Sequence, residues 1–469
     1  MRTLLALLFI ALPTLAQAPP TAESPSAVAP DDRSPWAQYG AIMAELEVVV
    51  EEARAAELAV RQEGNDWAGT GFSAYYWQPG YGRRVHRARE RARLAAVLDD
   101  WTARGVFEHT AALANLHGIK PPPTSPGDPP AFSLRLIREL ARIQIARMHL
   151  AAERGDDDTR LIAFEELLSM QRLHLWQDHL IAWGVAESGA RDACAELLRT
   201  QLRFPMTRDI ELARADLAIE SEAVDKWMNT QGVATMIRDD LLHIIAQTYA
   251  DGGEGDGVFH PEAYDDLLRG APRRVDLEEY RGPFESHSEA RAWSDTFLAL
   301  VSTMLQSSGQ AYIDAERAAQ SLIDEASPAI PLAGDFGPVY LFIVRNERRR
   351  GVLVDGSRVV LAIERYRVAN GGASPATLAD LGPLLSQELR SDPMSGEPWL
   401  YSPEPLQTDE YGRPLLPGAA VWPYTLRGRV LPGVESPVGY ARDATEGLLI
   451  NPPIQGHDFD PEPDEAEGN

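Results

Sequence analysis

The chain has 469 residues and a formal net charge of −26 at pH 7, with 70 acidic against 44 basic residues. Phosphate binding needs clustered cations, so this balance argues against a nucleic-acid partner and against an anionic membrane surface. Cys194 is the only cysteine, which excludes an internal disulfide. Its helical surroundings predict a small core residue rather than a nucleophile.

The N-terminus has the pattern of a secretory signal peptide. Residues 1–18 combine a charged start, a short apolar stretch from Leu4 to Leu12 and a small-residue exit. That stretch is too short to span a bilayer. Residues 19–34 are poor in apolar residues and predict a disordered leader. No later stretch has 18 uninterrupted apolar residues, so we predict an exported protein, periplasmic or extracellular, with no membrane span after signal cleavage.

Residues 35–326 predict a helical domain, because apolar residues recur there at intervals of three and four. A helix with one apolar stripe must bury it against other helices. The predicted fold is therefore mainly α, a multi-helix array or bundle followed by a small α+β module. The stripes are Ile42, Leu46, Val49, Ala53, Ala56 and Val60; Leu136, Leu140, Ile143 and Leu150; Leu161, Phe164, Leu168 and Leu175; and the longest, Trp293, Phe297, Leu300, Met304, Ala311, Ala315, Ala318 and Leu322.

Residues 134–184 resemble a tetratricopeptide-like helix pair. Gly155 predicts the end of the first helix, and Phe164 follows nine residues later. Arg160 stands where such a repeat has alanine, and no second copy follows in register. The resemblance implies one helix pair rather than a repeat array.

From about Ser327 proline and glycine become frequent, and we expect short aromatic segments in place of long helices. Gly371 can take the left-handed conformation that closes a helix, and Pro375 suits the first turn of the next. The run Trp399–Tyr401 is strand-like, and residues 421–426 could pair with it. Residues 327–433 are predicted to form the module, and residues 434–469 an acidic disordered tail.

The same segment resembles the globular part of type II secretion major pseudopilins. The matching positions are Tyr366, Asn370, Gly371, Pro375, Leu378, Leu381, Asp392, Pro393, Gly396, Pro398 and Tyr401. Ser374 replaces an aromatic residue that is usual in that family, and the hydrophobic segment that assembles the filament is absent. The resemblance implies a small α+β module at the end of an exported bacterial helical protein, and it does not imply a filament subunit.

The stretch ADGGEGDGVFHPEA (250–263) resembles a calcium loop between two helices. With Gly257 at the turn position, the candidate ligands are Asp251, Glu254, Asp256, the carbonyl of Val258 and Glu262. However, Ala263 stands where a bidentate glutamate is required. The pattern favours an acidic hinge, with weak calcium binding as the alternative.

An aromatic strip, residues 67–82, contains Trp67, Tyr75, Tyr76 and Trp77. If exposed, these side chains could bind a sugar or a protein partner. If buried, they anchor the connection between two helices, which is the usual role of such residues.

None of the nucleophile, phosphate-loop or zinc motifs GxSxG, SxxK, GxxxxGK, HExxH and CxxC occurs in the chain. We therefore predict an exported, non-catalytic binding or scaffold protein of the cell envelope, with a protein or envelope partner and no cofactor. One alternative is an envelope hydrolase that uses carboxylates in a helical cleft, and another is a weak calcium-responsive module. Arg345 and the run 348–350 either bind an acidic partner or pair with the chain's own carboxylates.

Overall fold

A computed structural model describes residues 35–63, 88–116, 134–175, 180–224, 226–250, 257–268, 286–408, 414–415, 418–429 and 448–454. These residues are mostly helical, which confirms the predicted mainly α fold. The helices are α1 Pro35–Glu63, α2 Ala88–Ala103, α3 Val106–Ala114, α4 Leu134–Glu153, α5 Asp157–Leu175, α6 Leu180–Arg203, α7 Asp209–Val224, α8 Lys226–Thr248, α9 Pro261–Leu268, α10 His287–Gln306, α11 Gly309–Ala326, α12 Pro331–Asp335 and α13 Gly337–Ala369.

Left-handed glycines separate the helices of two successive pairs. Gly105, with φ 78°, ends the connection between α2 and α3, and Gly155, with φ 69°, stands between α4 and α5. A side chain at either φ would be strained. The helix pair predicted from residues 134–184 is thus confirmed.

Buried apolar side chains form three clusters. The first joins α1 to α7, the second joins α8 to the start of α13, and the third lies under the C-terminal segments. Cys194 belongs to the first cluster and is 1% exposed, as predicted.

Helix α13 contributes to all three clusters. It supplies Leu341 to the second, Leu361 to the first and Val360 to the third. The expectation that long helices end near Ser327 was wrong here, since α13 runs for 33 residues. Its apolar residues are spread around the whole circumference, so no single stripe marks it in the sequence.

The longest predicted stripe is interrupted. Helix α10 ends at Gln306 and α11 begins at Gly309, which has φ 58°. The interruption shifts the buried face, so Ala311 and Ala318 are exposed. The buried side of α11 instead carries Tyr312, Ile313, Ala315, Glu316, Ala319 and Ile323.

The C-terminal segments form a small antiparallel sheet on α13. Strand β3 (Leu400–Ser402) pairs with β4 (Thr425–Arg427), with Tyr401 opposite Leu426, as the sequence predicted. Gly371 has φ 63° after α13, also as predicted. Pro375, however, precedes the next helix, a 3₁₀ segment over Leu378–Leu384 that Thr377 caps.

The predicted disordered tail does not hold for residues 448–454. Ile450 is 3% exposed and its backbone N–H donates to the Leu426 carbonyl. The Asn451 side chain accepts from the Leu426 N–H at 2.9 Å and donates to the Tyr424 carbonyl at 3.0 Å. The buried Ile450 side chain and the hydrogen bonds of the Asn451 side-chain amide to the backbone thus hold this segment to β4. The rest of the predicted tail lies outside the described residues.

Within these described ranges, no helix is long and apolar enough to cross a membrane.

Candidate binding cleft

A cleft of about 430 Å³ lies between the α2–α3 pair and the α4–α5 pair. Leu98, Phe107, Leu150 and Ala151 give it apolar walls. Arg147 and Glu166 also line it, one from each helix of the α4–α5 pair. Its size falls within the range of about 300–1,000 Å³ that is usual for small-molecule sites.

The polar part of the cleft is built around the Glu166 carboxylate, which is 7% exposed. Its Oε2 lies 2.7 Å from Gln144 Nε2, 3.0 Å from Thr110 Oγ1 and 3.1 Å from Arg147 Nη1. Gln144 and Arg147 donate to it, and the single Thr110 hydroxyl hydrogen is shared between Glu166 Oε2 and the Phe107 carbonyl. Gln144 and Thr110 are almost fully buried. The Arg147 guanidinium also lies 4.5 Å over the centroid of the Phe107 ring. The site is therefore held by three helices, α3, α4 and α5.

The second carboxylate oxygen, Glu166 Oε1, differs from Oε2 in its hydrogen bonding. It has no hydrogen bond to any residue that the structure describes, although the residue lines the cleft. Burial raises the pKa of Glu166, and the Arg147 charge opposes that rise. A hydrogen-bond donor that reached Oε1 would complete the coordination of this carboxylate.

Asp156, at the same cleft, has the opposite environment. Its side chain caps α5 by accepting from the Thr159 N–H at 3.0 Å. Hydrogen bonding from the Thr159 side chain and then from this N–H lowers the pKa of Asp156. An N-terminal cap and the helix dipole both favour the ionised form. Asp156 is exposed at the rim, whereas Glu166 is buried.

No motif or spacing in the sequence marks this cluster. Gln144 and Glu166 sit in helices whose buried positions are mostly apolar, such as Ile143 and Leu167. A polar residue on an otherwise apolar face was the available signal, because a buried polar group needs partners. Which partners it finds depends on how the helices pack.

The predicted calcium loop is described only in part. Asp251, Glu254 and Asp256 lie outside the described residues. Glu262 is exposed in the first turn of α9. Val258 is in strand β2 (Val258–Phe259), which pairs with β1 (Tyr249–Ala250) in antiparallel register. The predicted flanking helices are present, α8 before the loop and α9 after it.

The backbone on both sides of the loop is drawn together. The His260 N–H donates to the Thr248 carbonyl at 2.7 Å, and Tyr249 stands opposite Phe259. This antiparallel pairing brings the end of α8 close to the start of α9. The described residues contain no group of three His, Cys, Asp or Glu side chains placed to hold a metal ion, and Asp251, Glu254 and Asp256 lie outside them. Calcium binding stays a prediction.

The aromatic strip and the arginines from residue 345 onward were also singled out in the sequence. Trp67, Tyr75, Tyr76 and Trp77 lie outside the described residues, so their exposure stays open. The arginines after residue 344 do contact the chain itself: Arg345 pairs with Glu316 at 2.5 Å and Arg350 with Glu347 at 2.6 Å. Arg345 and Arg350 therefore meet the chain's own carboxylates.

Comparisons with protein-family models, with curated proteins and with solved structures found no match to this chain.

Proposed function

We propose that this chain is an exported, non-catalytic binding protein of the cell envelope that takes its ligand in the cleft between α2–α3 and α4–α5. The observation that carries the proposal is the Glu166 carboxylate, buried between apolar walls and fixed at one oxygen by three donors. Fixed polar groups within an apolar cleft are the usual composition of a ligand site. The signal-peptide pattern of residues 1–18 supports export.

The cleft suits binding better than bond cleavage. Glycoside hydrolysis requires two convergent carboxylates. Here Glu166 is the buried acid, while Asp99, Glu108 and Asp156 are exposed at the cleft. An arginine and two neutral donors hold Glu166 at Oε2, and these contacts oppose the rise in its pKa that burial causes.

The proposal can be tested by filling the cleft. Ala111 lines it and is only half-buried, so Ala111→Trp should occupy the space without displacing the core. Ala311→Trp places the same side chain on the exposed side of α11 as a control. Tagged proteins would be incubated with envelope extract and their retained molecules identified by mass spectrometry. We expect the wild type and Ala311→Trp to retain a ligand that Ala111→Trp loses. Equal retention by all three would contradict the proposal.

The hydrolase alternative is favoured by one observation, the opposed pKa shifts of Glu166 and Asp156 at one cleft. It predicts turnover of envelope glycan or peptide by the wild type and its loss in Glu166→Gln. We expect neither protein to release product in a reducing-sugar or amine-release assay. Release by the wild type alone would favour the hydrolase.

The calcium-responsive alternative depends on residues 251–262. Thermal unfolding with and without millimolar calcium tests it, because a ligand that binds only the folded state raises the unfolding midpoint. An unchanged midpoint would remove this alternative. The resemblance of residues 327–433 to pseudopilins remains a separate proposal about the origin of the module.

A further inference from the structure

We infer that the ligand of this cleft carries a cationic nitrogen, an amine or guanidinium, on a short apolar body. The inference rests on the proposed function, because it names the ligand class of the same cleft. The chemistry has two possible sources, a free amine and a lysine or arginine side chain of a peptide.

Charge at the cleft is the first argument. Four carboxylates line it, on Asp99, Glu108, Asp156 and Glu166, against two guanidinium groups, on Arg147 and Arg154. Arg147 is already committed, since it donates to Glu166 and stacks on Phe107. The remaining charge is negative, on a chain that is itself strongly acidic. A cation is therefore attracted to the cleft and an anion repelled.

The second argument is the unused oxygen of a buried acid. Glu166 is more than nine-tenths buried and lines the cleft, and its Oε1 has no partner among the described residues. A carboxylate oxygen only accepts hydrogen bonds, so a ligand group that meets it must donate. A charged N–H donor in this partly dry site gives a shorter and stronger bond than a neutral one.

The rim supplies the remaining contacts. Asp99 on α2 and Glu108 on α3 line the cleft, are exposed and have no ion-pair partner within the described part of the chain. An ammonium has three donors and a guanidinium five, so one cation can meet Glu166 and a rim acid together. Leu98, Phe107 and Leu150 are left to contact the apolar body of the ligand.

The experiment uses the full mature chain and isothermal titration calorimetry. The probes are agmatine, the blocked peptide Leu-Arg-Leu, and the same peptide with citrulline, which keeps the shape and removes the charge. We expect one or both cationic probes to bind and the citrulline peptide to bind at least tenfold more weakly. Agmatine binding alone would indicate a free amine, and binding of the arginine peptide alone would indicate a partner segment.

Variants locate the site. Glu108→Gln and Glu166→Gln should each weaken binding of the cationic probe about tenfold or more, whereas Asp295→Asn, an exposed acid on α10, should not. Glu108 is exposed, so its variant folds even if Glu166→Gln does not. Binding that is unaffected by Glu108→Gln and by Ala111→Trp would overturn the inference.

The two proposals fail differently. If Ala111→Trp loses an envelope ligand but no cationic probe binds, the cleft is a binding site and the cation inference is wrong. If Ala111→Trp retains every envelope ligand and no probe binds, both proposals are wrong.

Discussion

Arg348 Nη2 in the middle of α13 donates to the carbonyl oxygen of Pro393 at 2.6 Å. The same guanidinium donates to the carbonyls of Leu305 at 3.2 Å and Ser307 at 2.7 Å, at the end of α10. One side chain therefore joins the helical part of the chain to the turn that precedes β3. The Gly309 N–H, which donates to the Met394 carbonyl at 2.9 Å, adds a second link between the same two segments.

Replacing Arg348 should weaken this junction. Arg348→Met keeps the apolar stem and leaves three carbonyls without their donor, so we expect the free energy of unfolding to fall by about 2–3 kcal/mol. Arg317→Met, on the exposed side of α11, should change it by less than about 0.5 kcal/mol. Urea unfolding followed by circular dichroism measures both. An equal effect of the two substitutions would show that the junction contributes nothing.

We expect that residues 35–326 cannot fold independently of the rest of the chain. A fragment of residues 35–326 lacks α13, and with it the side chains that complete the first two apolar clusters, such as Leu361 and Leu341. We expect this fragment to lose its cooperative unfolding transition and to be cleaved by protease far faster than the full chain. A fragment that unfolded as sharply as the full chain would show that α13 is dispensable for the helical part.

The Glu347–Arg350 pair lies within α13 with each side chain only 2% exposed. Removing one partner leaves a buried charge, so Glu347→Gln should destabilise the fold by about 3–5 kcal/mol. The double variant Glu347→Leu/Arg350→Met should recover most of this loss, because two apolar side chains replace the pair. Chemical denaturation of Glu347→Leu, Arg350→Met and the double variant gives the coupling energy directly. Additive losses would mean that the two groups do not depend on each other.

Gly356 of α13 allows the segment around Ile450 to approach. A Cβ at residue 356 would lie 2.8 Å from Ile450 Cγ2. Alanine normally favours a helix over glycine by about 1 kcal/mol, but here we expect Gly356→Ala to destabilise the fold by about 1–3 kcal/mol. Ile450→Ala removes the clashing atoms, so Gly356→Ala should cost less in that background than in the wild type. If Gly356→Ala stabilised the protein, the packing of residues 448–454 would be wrong.

Asp192 should make stability depend on pH. Burial raises the pKa of Asp192 to about 6 from the usual 3.8, with Arg191 opposing the rise and Glu196 adding to it. Because the pKa of Asp192 is higher in the folded than in the unfolded chain, protonation of Asp192 stabilises the folded state. This contribution to the free energy of unfolding is complete below about pH 4. It is lost as pH rises through 6.

The matching variant is Asp192→Asn, which stays neutral. Between pH 4 and pH 7 we expect the wild type to lose about 1–3 kcal/mol of unfolding free energy relative to Asp192→Asn. Asp295 is exposed, so the unfolding free energy of Asp295→Asn should change with pH as that of the wild type does over the same range. Denaturant titrations at several pH values measure the differences. A constant gap between the wild type and Asp192→Asn would show that the pKa of Asp192 is not raised in the folded protein.

Local patterns in the sequence determined much of the fold. Leu136, Leu140 and Ile143 are all buried, as their spacing predicted, and so are Leu161 and Phe164. Gly155, Gly371 and the β3–β4 pair also follow from neighbouring residues. Periodicity and turn chemistry act over a few residues, so they are visible without the tertiary structure.

Tertiary packing determined which polar side chains are buried and which partners they contact. Arg160 looked like a departure from a repeat pattern, yet it is fully buried and donates to the Phe204 carbonyl at 2.9 Å. Arg348 likewise donates to backbone carbonyls at the end of α10. Glu166 and Thr110 are 56 residues apart and meet only because α3 packs on α5. A buried charge is stable only with partners, and distant helices supply those partners, so spacing within one helix could not reveal the cleft.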